Sequence, residues 1–123
     1  MIRAVWLEIP ARDIERALRF YTTLFELEPV KIVDDGPRRT ATLVNTSDGR
    51  GTGISLNQTT NFEPGSQGVL IYMYAGDDLT ESLNRVEAAG GKIVEAKTSM
   101  GQAGYYATVK DTEGNVLALY SET

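Results

Sequence analysis

Apolar and mixed residues alternate from Val5 to Pro10. Val5, Leu7 and Ile9 share one parity, and Trp6, Glu8 and Pro10 share the other. That is the period of a strand buried on one face, and Pro10 ends its pairing. Asp13 stands as a helix N-cap, with Glu15 in the first turn, where the helix dipole favours an anion. Ile14, Ala17, Leu18, Tyr21 and Leu24 then fall on one helical stripe. The helix can lie back on the aliphatic face of its own strand, which leaves Trp6 and Glu8 pointing the other way.

After Glu28-Pro29 the pattern predicts strands over 30–33, 38–45 and 52–58. Turns separate them at Asp34-Asp35-Gly36-Pro37 and at Ser47-Asp48-Gly49-Arg50-Gly51. Residues 59–67 are polar with Pro and Gly and read as a linker. The order then repeats. A strand over 69–75 leads to a helix start at Asp78-Leu79-Thr80-Glu81, with a carboxylate three residues after an Asp cap. Leu79, Ser82, Leu83, Val86 and Ala89 repeat the first helix's spacing, and Gly90-Gly91 ends the helix. Strands follow over 92–97, 105–110 and 115–121. Lys31-Ile32-Val33-Asp34 is echoed by Lys92-Ile93-Val94-Glu95, and Ile54-Ser55-Leu56 by Leu117-Ala118-Leu119. The repeated order is the stronger sign. The expectation is an α+β protein of two tandem βαβββ modules, about 1–58 and 68–123, curling into a mixed sheet. Neither half has core enough alone, so residues 1–123 form one domain.

Composition narrows the chemistry. The chain has no Cys and no His. Disulfides, thiolate nucleophiles, imidazole ligands and the usual general base are therefore excluded. The net charge of −5 argues against sequence-independent nucleic-acid binding, which needs basic surface, and is compatible with a cationic ligand. No stretch is apolar and long enough to span a bilayer, and Met1-Ile2-Arg3 opens no signal-peptide pattern. A cytoplasmic protein with no nucleic-acid or membrane partner is expected.

Several segments together resemble the vicinal oxygen chelate superfamily, which includes glyoxalase I, extradiol dioxygenases and fosfomycin- and bleomycin-resistance proteins. They are Glu8-Ile9-Pro10, Asp13 to Tyr21, Asp77-Asp78-Leu79, Val86 to Lys92, and Asp111-Thr112-Glu113-Gly114-Asn115. The resemblance spans nearly the whole chain and implies the fold more than any reaction. In that family each module forms half a cup holding a divalent metal. Its ligands are typically a His or Gln on the first strand, a carboxylate on the fourth, a His opening the fifth and a Glu on the eighth. Carried over by place, these fall on Trp6, on Ser55 (or Asn57 two residues on), on Leu70 or a neighbour, and on Ala118. Indole N–H only donates, and Leu and Ala have no donor atom for a metal. Neither a metal nor another cofactor is expected.

Strand alternation supplies the cup lining independently. The parity opposite the aliphatic one carries Trp6, Glu8, Asn57, Tyr72, Tyr74 and Tyr120, an aromatic box with one carboxylate and one amide. Such a lining suits a small molecule, with apolar area for affinity and sparse polar groups for orientation. The same aromatics can instead fill a closed core or a dimer seam, and Glu8 can be solvated or paired with an Arg or Lys. Met100-Gly101-Gln102-Ala103-Gly104 reads as a plain connection or as a loop closing on a ligand. Three functions compete. One is metal-free binding of a small aromatic or cationic molecule, as in the bleomycin-resistance branch. The second is a metal-dependent lyase, isomerase or dioxygenase with other ligands, and the third is a structural or regulatory dimer with a vestigial cup. A homodimer is expected, since the family commonly dimerises and curled sheets leave open edges.

Overall fold

Two four-stranded sheets share one strand order. The computed structural model describes residues 1–46 and 51–123, so the turn expected at Ser47-Asp48-Gly49-Arg50 lies outside the described residues. The first unit runs β1 (Trp6–Pro10), α1 (Ile14–Phe25), β2 (Ile32–Asp34), β3 (Arg38–Val44) and β4 (Gly53–Thr59). The second runs β5 (Tyr72–Tyr74), α2 (Thr80–Arg85), β6 (Lys92–Ser99), β7 (Tyr105–Lys110) and β8 (Val116–Ser121). The sheet orders are β1-β4-β3-β2 and β5-β8-β7-β6. In each, the first strand pairs parallel with the last and the other pairs are antiparallel. The protein is thus α+β, a βαβββ unit taken twice.

Both helices pack on the aliphatic sheet faces. Ile9, Ile14, Ala17, Phe20, Tyr21, Leu24, Ala41, Leu56, Leu79, Val86, Val109 and Leu119 belong to one continuous buried cluster. Asp13 caps α1, its Oδ1 accepting from the Arg16 N–H at 3.1 Å. Phe20, outside the expected stripe, is also fully buried. Gly91 makes room for it: a Cβ there would lie 2.5 Å from both Phe20 Cε1 and the Lys110 carbonyl oxygen.

Three local expectations need correction. Val5 is exposed and precedes β1, because β4 begins only opposite Trp6. The fifth strand is confined to Tyr72–Tyr74. Tyr72 already faces Ala118 of β8, so Val69 lies beyond the start of that partner strand and is 88% exposed. The second helix starts one residue later than expected, with Leu79 rather than Asp78 in the cap position and no side-chain cap. Asp78 Oδ1 instead accepts from the Thr80 N–H at 2.9 Å and from Lys97 Nζ at 2.9 Å.

The turn between β7 and β8 joins the units. Glu113 is buried and accepts from the Arg12 and Asp13 N–H groups, both at 2.9 Å, and from Arg16 Nε at 2.8 Å. Asp111 accepts from the Tyr21 hydroxyl at 2.7 Å, and Asn115 Nδ2 donates to the Pro10 carbonyl at 2.9 Å. Arg85 donates to the Leu24 carbonyl at the far end of α1.

Candidate functional site

The sheet faces turned away from the helices differ sharply between the two units. On the first, register sets Trp6 beside Gly53, Glu8 beside Ser55, and Thr40 beside Asn57. Trp6 Nε1 donates to Ser55 Oγ at 3.1 Å, and Asn57 Nδ2 donates to the same oxygen at 2.9 Å. Thr40 Oγ1 donates to Asn57 Oδ1 at 3.1 Å. The indole lies flat across Gly53, where a Cβ would approach its Cε3 and Cζ3 carbons to 2.2 Å. Asn57 is fully buried, its amide used within this chain of bonds. Glu8 forms a two-pronged pair with Arg38, at 2.9 and 3.2 Å. Its charge is therefore already answered, as the paired reading of Glu8 expects.

The equivalent face of the second unit is tyrosine-rich. Register across all four strands sets two rows. One reads Glu95, Thr108, Ala118, Tyr72; the next reads Thr98, Tyr106, Tyr120, Tyr74. The Tyr74 and Tyr120 rings lie 6.5 Å apart, tilted by 38°. Tyr72 and Tyr74 are 50% and 62% exposed. The Tyr120 hydroxyl donates to the Ala103 carbonyl at 2.7 Å, which ties the Met100–Gly104 connection to this face. The Tyr106 hydroxyl donates to Glu95 Oε2 at 2.8 Å. That hydrogen bond, with burial and the carboxylate's charge, raises the Tyr106 phenol above its ordinary range, and Tyr72 is near enough to add a smaller push. Ala118, between Tyr72 and Thr108 in its row, is fully buried, so its neighbours close over it.

The six residues expected at the site thus fall into two groups. Trp6, Glu8 and Asn57 lie on the first face, and Tyr72, Tyr74 and Tyr120 on the second. A cavity of about 370 Å³ sits at the seam, lined by Glu8, Pro10, Phe62, Leu70 and Val116 among others. Of the six, only Glu8 reaches it. Alternation alone did not find Tyr106 or Glu95. Tyr106 is legible by the same period applied to β7. Glu95 is not, because β6 carries an extra residue on each side of it: Ile93 faces Val109, Glu95 faces Thr108, and Thr98 faces Tyr106. A regular strand would put Glu95 on the same face as Ile93. The bulges turn it onto the tyrosine face, as bulges near sites often re-aim a side chain.

The residues at the four places of the family metal site do not fit a divalent cation. The Ser55 oxygen is taken up by two donors, one of them the Trp6 indole at a second ligand place. Leu70 and Ala118 have no side-chain lone pairs to give. Hard cations want several oxygens, carboxylates among them. Among the described residues no three Asp or Glu side chains gather in a way that would hold an ion.

The fold has relatives among solved structures. A variant of glyoxalase I from Zea mays superposes with a TM-score of 0.76 at 20% identity, covering 96% of this chain. The present chain spans 45% of that protein's length. A glyoxalase-related enzyme from Fulvimarina pelagi gives 0.69 at 16% identity, covering 98% of this chain and 88% of its own. A glyoxalase/bleomycin resistance protein/dioxygenase family enzyme from Burkholderia phytofirmans gives 0.68 at 18%, covering 96% and 97%. These identities speak for the fold alone. Comparison with curated proteins gives no match. The family model for the glyoxalase/bleomycin resistance protein/dioxygenase superfamily matches residues 3–119, nearly the whole chain. The chain belongs to the glyoxalase/bleomycin resistance protein/dioxygenase superfamily.

Proposed function

We propose that the protein binds a small, planar, largely apolar molecule on the tyrosine face of its second sheet, without a metal. The observation that carries this reading is the contrast between the two faces. The first satisfies its own polar groups through Trp6, Ser55, Asn57 and Thr40. The second leaves ring surface uncovered on Tyr72 and Tyr74, and neither hydroxyl has a protein partner among the described residues. Exposed aromatic area beside a few free donors is what a small-molecule site offers. Trp6, Glu8 and Asn57 lie on the other sheet, where their polar groups are already paired.

A thermal-shift screen of planar aromatic compounds, run before and after chelator treatment, tests the proposal. A ligand that binds only the native state raises the melting temperature. The expected result is a shift that survives chelation and is lost in Tyr72→Ala. A metal found at one equivalent in the untreated protein, with binding lost on its removal, would instead support a metal-dependent enzyme.

A further inference from the structure

We propose that the cavity at the seam of the two units is a second binding site, separate from the tyrosine face. Its ligand is an uncharged aliphatic molecule, an alkyl or alicyclic body carrying at most a hydroxyl group. The cavity, of about 370 Å³, lies among β1 of the first unit, β5 and β8 of the second, and the linker at 62–71. It is deep. It begins at exposed Leu70 and reaches Tyr21, Met73 and Leu117, all buried in the core. A concavity of this depth and volume suits a small molecule. An apolar cavity of about 150 Å³ holds benzene, so this one has room for a body roughly twice that size.

The lining sets the ligand's class. Ile9, Val69, Leu70, Ile71, Val116 and Leu117 make the wall branched and aliphatic, unlike the ring surface of the tyrosine face. The two acids at the cavity already have cations. Glu8 is held by Arg38 at 2.9 Å, and Glu63 faces Arg12 at 3.5 Å. Asn115 is committed at both ends. Its Nδ2 donates to the Pro10 carbonyl and to Asp111 Oδ2, and its Oδ1 accepts from the Gly65 N–H at 3.1 Å. A charged ligand would give up its water here without meeting a free counter-charge, whereas an aliphatic one gives up only unfavourable hydration. Ser66 and Gln67, both exposed on the linker, can hydrogen-bond a single hydroxyl and orient it outward.

Calorimetric titration of the whole chain with 1-butanol, 1-hexanol, 1-octanol and octanoate tests this. Affinity should rise roughly fourfold per added methylene. Octanoate should bind at least about tenfold more weakly than octanol. In tyrosine-labelled protein, octanol should shift the Tyr21 ring signal and leave those of Tyr72, Tyr74, Tyr106 and Tyr120 in place. Leu70→Trp and Val116→Trp each enlarge a wall side chain and should abolish binding. Leu70 lies outside the strands, so that variant keeps the fold. Tyr72→Ala should leave octanol binding intact, whereas planar ligands of the tyrosine face lose theirs, so the two sites fail separately. No saturable binding of octanol would overturn the proposal, as would shifts confined to the four tyrosine-face rings or full affinity in both Trp variants. Octanoate binding as tightly as octanol would overturn the uncharged class. Octanol affinity that falls as protein concentration rises would seat a second copy of the chain in the cavity, and overturn the small-molecule site.

Discussion

The Tyr21 hydroxyl donates a 2.7 Å hydrogen bond to Asp111 Oδ2 across 90 residues of sequence, and both residues are buried. One lies on the helix of the first unit, the other in the last turn of the second. The remaining Asp111 oxygen accepts from the Glu113 and Asn115 N–H groups at 2.8 and 2.9 Å, so one carboxylate shapes the turn and anchors the opposite unit. Burial and the Asp111 charge push the Tyr21 phenol well above its ordinary range, so it remains a donor throughout the working pH range. Tyr21→Phe removes a bond to a charged acceptor and is expected to destabilise the fold by about 2 kcal/mol. Urea titration against the parent chain measures this, and an unchanged midpoint would mean that the units are held together elsewhere.

Glu113 makes the same junction pH-dependent. Burial opposes its charge, but the Arg16 guanidinium, the Asp13 N–H, the Thr112 hydroxyl and the Arg12 N–H together outweigh that and hold its carboxyl at about 2. The folded value lies below the unfolded one of about 4.3. The stabilisation is therefore present in full above that unfolded value and lost as pH falls towards 2. Melting temperatures recorded from pH 6 to 2.5 should fall more steeply for the parent than for Glu113→Gln, which is less stable at neutral pH. Parallel profiles would contradict the linkage.

Gly53 is where the first face depends on the absence of a side chain. In a strand, Gly→Ala is ordinarily favourable or neutral. Here the added Cβ would meet the indole of Trp6 at 2.2 Å. Gly53→Ala is expected to cost about 1–3 kcal/mol through overpacking and to displace the ring from Ser55. Trp6 is the only tryptophan, so its emission reports the displacement directly. A stable variant with unchanged emission would show that the ring does not lie over Gly53.

We also propose that the protein is a homodimer. Each sheet ends in open edge strands, and Val5, Val69 and Leu70 leave apolar surface beside two of them, β1 and β5. Uncovered edges of this kind invite pairing. Light scattering at micromolar concentration should give twice the mass of 13.5 kDa; a monomer throughout would remove this proposal.

Much of the architecture was legible because simple periods were respected. The Asp13 cap, the Ile14-Ala17-Tyr21-Leu24 stripe and the doubled strand order each follow from local rules that the tertiary structure did not override. The failures share a cause: partners decide. Val5 and Val69 read as strand, yet the paired registers begin only after them, at Trp6 and Tyr72. Glu95 reads as facing Ile93's side until the bulges are known. The Glu113 junction was hidden because its partners lie about a hundred positions away on Arg12, Asp13 and Arg16. At the candidate site, alternation gathered Trp6, Glu8, Asn57 and the three tyrosines into one box, whereas the structure divides them between two sheets. Alternation did not reveal that the first three are bonded internally, since hydrogen-bond geometry between strands is not written in any one strand.

The most direct test of metal-free binding at the tyrosine face uses the six tyrosines as separate reporters. Ring resonances of tyrosine-labelled protein are followed by NMR during titration with a ligand from the screen, with excess chelator present. Tyr72, Tyr74, Tyr106 and Tyr120 share the proposed face. Tyr21 is buried in the core, and Tyr105 packs against that core with Lys97 over its ring. The account predicts saturable shifts of the first four signals, with Tyr21 and Tyr105 unmoved. Shifts confined to Tyr21 and Tyr105, or shifts that appear only when a divalent metal is restored, would contradict it.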